Sequence, residues 1–249
     1  MLMRAASLFK YFGGEFLAIR NVSFDLSDGM LTSIIGPNGA GKTTLINLLS
    51  GSLKPDRGEI FFRDEKITQL RVEERVKKGI CRSFQITNIF PELTVLHNVL
   101  IPLIYYHKRS LNLFSKLEGE KAIKNEGLRI LEEVGLKDQA ELKAAHLSHG
   151  EQRQLEVGIA LATHPELIFL DEPTQGMNKV EKANIVERIV HLSKEGRVTF
   201  VIVEHDMDVV FSVSDRIIVL HSGSIIADGA PEEIRNNELV REVYLGEEL

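Results

Sequence analysis

Residues 36–44 read GPNGAGKTT and lie between two apolar runs, 30–35 and 45–49. No other stretch restricts the possible folds so tightly. The pattern G-x-x-x-x-G-K-[ST] requires a strand before it and a helix after it, and both flanks qualify. Glycine lets the backbone N–H groups of such a loop turn inward around phosphate oxygens. The N-terminus of the following helix adds a favourable potential for an anion. Gly36, Pro37, Asn38, Gly39, Ala40, Gly41, Lys42, Thr43 and Thr44 are therefore the first candidate binding residues. Lys42 is expected to reach the β- and γ-phosphates of a nucleoside triphosphate, and the Thr43 hydroxyl to ligate Mg²⁺. The competing reading is a glycine-rich turn that binds nothing. Loop, lysine, threonine and flanks all agree against it.

Composition serves mainly to exclude. A chain of 249 residues holds one large α/β domain or two small ones. Its 43% hydrophobic and 27% charged residues fit a globular protein. A net charge of −6 and the lack of a Lys/Arg block argue against a nucleic-acid face. No apolar run nears the roughly 18 residues of a membrane span. The opening MLMRAASLFK has no sustained apolar segment, so no signal peptide is expected. Cys81 is the single cysteine, which excludes an internal disulfide and fits a reducing cytoplasm. It is expected to be a small buried strand residue.

Along the chain, 4–9 and 18–26 read as strands separated by Gly13–Gly14. The loop strand and its helix follow, with Gly51 as a C-cap. Residues 58–64 and 80–84 read as strands, with a helix over 71–78 between them. From about 86 to 164 the character turns helical, with helices at 94–105, 118–134 and 150–162. This region reads as an insert in an α/β core. Buried-strand runs return at 167–170 and 199–203 around a helix at 180–192, with Ala183, Val186 and Val190 on one side. Strands at 217–220 and 225–227 and two short helices close the chain.

A phosphate loop alone leaves kinases, GTPases and many ATPases open. LIFLDEP, 167–173, narrows the choice. It reads as a strand buried on both faces that ends in two carboxylates. Asp171 is placed to hold Mg²⁺, and Glu172 to polarise the water that attacks a γ-phosphate. Gln85 follows the run ICRSF, and His205 follows TFVIVE. In open parallel sheets, ligands bind outside the carboxyl ends of the strands, so all these residues should converge on one edge. Gln85 is suited to orient water or Mg²⁺, and His205 to donate a hydrogen bond to the γ-phosphate. The other histidines show no metal-ligand spacing.

LSHGEQRQLE, 147–156, completes the set. The glycine loop, Gln85, LSHGE, LIFLDEP, QGMN and His205 together resemble the ATP-binding cassette (ABC) ATPases in order and approximate spacing. The resemblance covers essentially the whole chain. It implies an α/β P-loop NTPase (RecA-like) core with an antiparallel β subdomain and an inserted helical subdomain. The core would occupy about 1–85 and 165–235, the helical subdomain about 86–164, and a helical tail 236–249. The implied cofactors are ATP and Mg²⁺. In this family two cassettes close head to tail, so Ser148 and Gly150 would reach the γ-phosphate held by the partner's loop. An aromatic residue stacks on adenine, and Phe12 is the candidate, with Phe16 and Tyr11 as alternates.

Three positions depart from the family pattern. His149 and Glu151 stand where LSGGQ has glycine and glutamine, and Asn178 where the D-loop has aspartate. Ser148-x-x-Glu151 also fits a capping box at a helix start. His149 carries a side chain where glycine has none, and is expected to point away from the nucleotide.

The single cassette, without a fused membrane domain, resembles a separate subunit of a prokaryotic transporter. SFQITNIFPELTVLHNV, LSHGEQRQLEVGIAL, VEHDMDVV and the terminal REVYLGE look like the hydrophobic and branched-chain amino-acid importers and their urea and amide relatives. That implies a second cassette (a copy or a paralogue), two permease subunits, an extracytoplasmic binding protein and no nucleic acid. The chain would be cytoplasmic, peripheral on the inner face of the cell membrane, and bound there only through the permease. Ile86, Ile89, Phe90 and Leu93 would line the permease groove, and Leu239, Val243 and Leu245 would dock the tail. The contrasting readings are a urea or amide importer cassette, a non-transport soluble ABC ATPase, and a P-loop kinase.

Overall fold

The computed structural model describes residues 1–82, 89–107, 116–196 and 198–244. Alternation of inward and outward side chains forms an opening hairpin, β1 (Met3–Phe12) and β2 (Phe16–Leu26). The apolar run before the glycine loop forms β3 (Thr32–Ile35), buried at every residue. The loop opens onto α1 (Lys42–Ser50), which ends at Gly51 in the left-handed conformation. β4 (Arg57–Phe62) and β5 (Glu65–Lys66) follow, then α2 (Val72–Val76) and β6 (Ile80–Arg82). Next come α3 (Val95–His107), α4 (Lys116–Glu133) and α5 (His149–Leu161), which pack on one another. Alternation resumes with β7 (Leu167–Asp171), α6 (Lys179–Lys194), β8 (Thr199–Val203) and α7 (Met207–Val213). β9 (Arg216–His221), β10 (Ser224–Gly229), α8 (Pro231–Arg235) and α9 (Glu238–Tyr244) complete the described chain.

Among the described residues there are two sheets. One is antiparallel, in the order β2-β1-β4-β5. The other runs β10-β9-β3-β8-β7-β6 and is parallel except for its edge strand β10. Ile34 faces Val203 on one side and Ile218 on the other, and Asp171 also faces Val203. The carboxyl ends of β3, β7 and β8 are therefore level. The residues that follow them (the glycine loop, Glu172 and His205) emerge at a single edge.

The period of two sorts the parallel strands into two cores. Ile34, Ile218 and Leu220 join Leu45, Leu49 and the hairpin residues Leu8 and Ile19 in one cluster. Ile35, Ile217 and Val219 join Val210, Ile234, Val240 and Tyr244 in another. The tail therefore docks through Val240 and Tyr244, one helical turn apart. Val243 packs only partly, Leu239 is exposed, and Leu245 lies outside the described residues. The expected Leu239 anchor is corrected accordingly.

The chain divides into two compact units. The first comprises the described residues of Met1–Arg82, Glu166–Glu172 and Ser193–Leu249. The second comprises those of Ser83–Pro165 and Pro173–Leu192. Residues 173–192, which the sequence pattern assigned to the core, thus group with α3, α4 and α5. The buried stripe of α6 is Ile185, Ile189 and Leu192. Ala183, expected on that face, is exposed.

Candidate functional site

The glycine loop is built by close approach. A Cβ on Gly36 would stand 2.2 Å from the Leu220 carbonyl oxygen. Gly41 has φ +104°, and a Cβ there would stand 2.8 Å from the Ala18 oxygen. Only glycine fits either place. Gly41 is also the N-cap of α1, so no side chain caps that helix, and no acid occupies its first turn. Its leading N–H groups and dipole are left to an external anion. Lys42 is buried, and its Nζ donates to the carbonyls of Gly36 and Pro37, the latter at 3.1 Å. The cation is thereby folded over the loop.

A pocket opens on this loop, lined by Phe12, Phe16, Ala18, Asn38, Gly39, Ala40, Gly41, Lys42, Thr43, Thr44, Glu172 and His205. Phe12 and Phe16 are cross-strand partners at the hairpin end, 40% and 65% exposed, so both rings are open to a ligand. Tyr11 does not line the pocket. Its N–H instead donates to Asp56 at 2.6 Å, and Lys10 Nζ to the same carboxylate at 3.2 Å. The Tyr11 N–H foremost, helped by Lys10, holds the Asp56 carboxyl below its usual range. This acid fixes the hairpin end that carries Phe12.

The two carboxylates after β7 have different surroundings. Asp171 is buried, and Arg82 Nη2 meets its Oδ2 at 2.9 Å. Arg82 Nη1 also bonds Asn47 of α1. Asp171 Oδ1 is buried with no partner among the described residues. A hard divalent cation takes carboxylate and hydroxyl oxygens, so this orphaned oxygen and the Thr43 hydroxyl fit Mg²⁺. Glu172 has φ +49°, a conformation that costs a non-glycine residue about 1–3 kcal/mol. Its N–H bonds Val203 O at 2.8 Å, and its Oε1 lies 2.9 Å from His205 Nε2. Such strain at a polar residue lining a pocket points to function. Sequence reasoning missed Arg82. It sat in the middle of the strand read over 80–84 and belonged to no motif, so no signal marked it.

Gln85 and Ile86 lie outside the described residues. Phe90 and Leu93 are exposed, and Ile89 is half-buried. Ser148 and Gly150 belong to the second unit and are not among the pocket's lining residues. Ser148 caps α5 as its sequence suggested. Its Oγ accepts the Glu151 N–H at 3.3 Å, and Glu151 Oε2 accepts the Ser148 N–H at 2.8 Å. A Cβ on Gly150 would press to 2.9 Å from Glu181 Cγ. The His149 ring lies against Gly176. Asn178 has a capping task at α6. Its Oδ1 accepts from Val180 and Glu181 at 2.9 and 3.1 Å, and Glu181 accepts the Asn178 N–H at 3.1 Å. Aspartate would do the same, so the cap is indifferent to this departure.

A parallel sheet whose glycine loop, uncapped helix and carboxylate strand meet at one edge defines a P-loop nucleotide-binding protein. Residues 19–175 match the ABC transporter family model. Residues 224–249 match that for the branched-chain amino acid ATP-binding cassette transporter. The chain is 38% identical over 253 residues to the high-affinity branched-chain amino acid transport ATP-binding protein LivG of Salmonella typhimurium, covering 99% of this chain and 98% of that one. It superposes with a TM-score of 0.85 and 36% identity on an ATP-binding cassette of an ABC transporter in its ADP conformation, covering 99% of both. A dimeric cassette in a post-hydrolysis state with ADP and Pi matches with a TM-score of 0.78 and 29% identity, over 92% of this chain and 99% of that one. The chain belongs to the ATP-binding cassettes of the ABC transporters. It is an ATPase of that family, and no helix among the described residues is long and apolar enough to cross a membrane.

Proposed function

We propose that this chain hydrolyses ATP to drive a membrane importer for branched-chain or other hydrophobic amino acids. The observation that carries the ATPase site is that one pocket joins the uncapped α1 N-terminus and Lys42 to the Glu172–His205 pair. The match over 224–249 and the likeness to LivG support the solute class.

Backbone N–H groups of 36–44 bind the phosphates, and Lys42 exchanges loop carbonyls for phosphate oxygens. Phe12, with Phe16 opposite, stacks on adenine. Glu172 accepts the proton of the attacking water, and His205 orients that carboxylate and bonds the γ-phosphate. Thr43, Asp171 and Gln85 would hold Mg²⁺, which supplies positive charge against the phosphates. Ser148 and Gly150 of a second cassette complete the phosphate grip. That cassette is a copy or a paralogue, and the pair works beneath two permease subunits served by an extracytoplasmic binding protein. The chain sits at the inner face of the membrane through the permease alone, bound by the groove around Ile86, Ile89, Phe90 and Leu93.

Glu172→Gln tests the base. ATP binding should persist while turnover falls by on the order of 10²–10⁴-fold. Single-turnover hydrolysis at the wild-type rate would refute the assignment. Uptake of labelled leucine by cells carrying this variant should fall in step. Intact uptake with lost hydrolysis would remove the transport role.

A further inference from the structure

His107 closes α3, Glu126 lies in α4 and His164 follows α5, yet the three side chains meet within the second unit. His107 Nε2 and His164 Nε2 each stand 2.8 Å from a different oxygen of the Glu126 carboxylate. One ligating atom from each residue lies within 4.8 Å of the others. Tyr106 stacks on the His164 ring at 4.3 Å and meets His107 edge-on at 5.4 Å, which fixes both imidazole planes. The nucleotide site uses none of these residues.

We infer that His107, Glu126 and His164 form a site for a borderline divalent transition ion, Zn²⁺ foremost. Two imidazoles and a carboxylate are a donor set that Zn²⁺ takes, with water as the fourth ligand. Mg²⁺ and Ca²⁺ prefer oxygen throughout, so the chemistry is unlike that at Asp171. Bonds of about 2.0–2.2 Å set tetrahedral ligands roughly 3.4 Å apart. With the carboxylate binding through one oxygen, the 2.8 Å contact to that oxygen opens by about 0.6 Å, and the other donor pairs, within 4.8 Å, draw in by at most about 1.4 Å, within reach of side-chain rotation. A neutral imidazole binds once its Nε2 proton has moved to Nδ1. A charged one releases a proton to solvent. The ion then ties the end of α3, the middle of α4 and the residues after α5 together. Without it, the same carboxylate accepts two imidazole N–H donors, so the apo cluster also holds.

The test uses the full-length, nucleotide-free, metal-stripped chain, titrated with ZnCl₂ against a chromophoric chelator and with CoCl₂ by visible absorption. We expect one equivalent of Zn²⁺, a four-coordinate Co²⁺ spectrum, and no displacement by excess Mg²⁺. Tm should rise when Zn²⁺ stands at about a hundred times Kd. His107→Gln and His164→Gln keep an N–H donor for Glu126 but lose the imidazole ligand. Each should weaken Zn²⁺ by at least about a hundredfold and abolish the Co²⁺ bands. Equal Zn²⁺ affinity in wild type and both variants, or an octahedral Co²⁺ spectrum in wild type, would overturn the site. Should a variant fold poorly, the wild-type stoichiometry and spectrum still decide.

Discussion

At the scale of the residue, Arg75 shows what a motif cannot announce. It is completely buried, and its five N–H donors all go to main-chain carbonyls: those of Leu70, Leu48, Leu49, Ile67 and Thr68. Burial pushes its pKa down to about 10, still far enough above neutrality to leave it cationic. Leu48 and Leu49 sit in the last turn of α1, where carbonyls lack helical donors, so the guanidinium caps that helix and meets its negative end. Arg75→Met should lower unfolding stability by about 2–4 kcal/mol, because the five guanidinium hydrogen bonds are lost, although the Leu48 and Ile67 oxygens keep the N–H donors of Gly51 and Leu70. Arg75→Lys, with three donors, should recover only part. A urea midpoint unchanged in Arg75→Met would show that the carbonyls find other partners. The sequence placed a helix over 71–78, but its charged pattern gave no sign that one arginine is interior. Lys42 was legible because its partners lie five and six residues away. Those of Arg75 reach back as far as 27 residues.

At the scale of the element, what could be read depended on whether one residue or a whole surface had to be chosen. The run 199–203 is a strand over the span its apolar residues marked, since five buried residues in a row leave no choice of face. α6 offered two stripes about 100° apart. Ile185, Ile189 and Leu192 bury more apolar area than Ala183, Val186 and Val190, and the larger area prevailed. α7 and β5 passed unread for different reasons: α7 is short and its Val210 packs on distant Ile35, Ile217 and Val219, whereas β5 is only two residues folded back on the end of β4. Caps are local, and the Ser148–Glu151 box was legible for that reason. Ser148→Ala and Glu151→Ala each remove half of it and should each cost about 1 kcal/mol. If Ser148 also grips a partner's phosphate, its variant should slow ATP turnover far more than Glu151→Ala at matched stability. Equal rates in the two variants would reduce Ser148 to a cap.

At the scale of the whole molecule, the pocket on the glycine loop draws its lining from the first unit alone, while Ser148 and Gly150 belong to the second. The sequence could not settle which unit takes 173–192. Membership is decided by packing, whereas chain order only placed these residues between two core strands. If the phosphate grip is completed from another cassette, association must depend on nucleotide. The Glu172→Gln chain should then double its mass by light scattering when ATP and Mg²⁺ are added, and return to monomer with ADP. If Lys42 grips the phosphates as proposed, Lys42→Ala should stay monomeric with either nucleotide. A chain that remains single with ATP alone but forms a one-to-one complex with a second cassette expressed beside it would identify a paralogous partner. Single chains under both conditions, with the unmutated chain hydrolysing ATP on its own, would mean that one copy completes its own site, and the shared-site mechanism would be wrong.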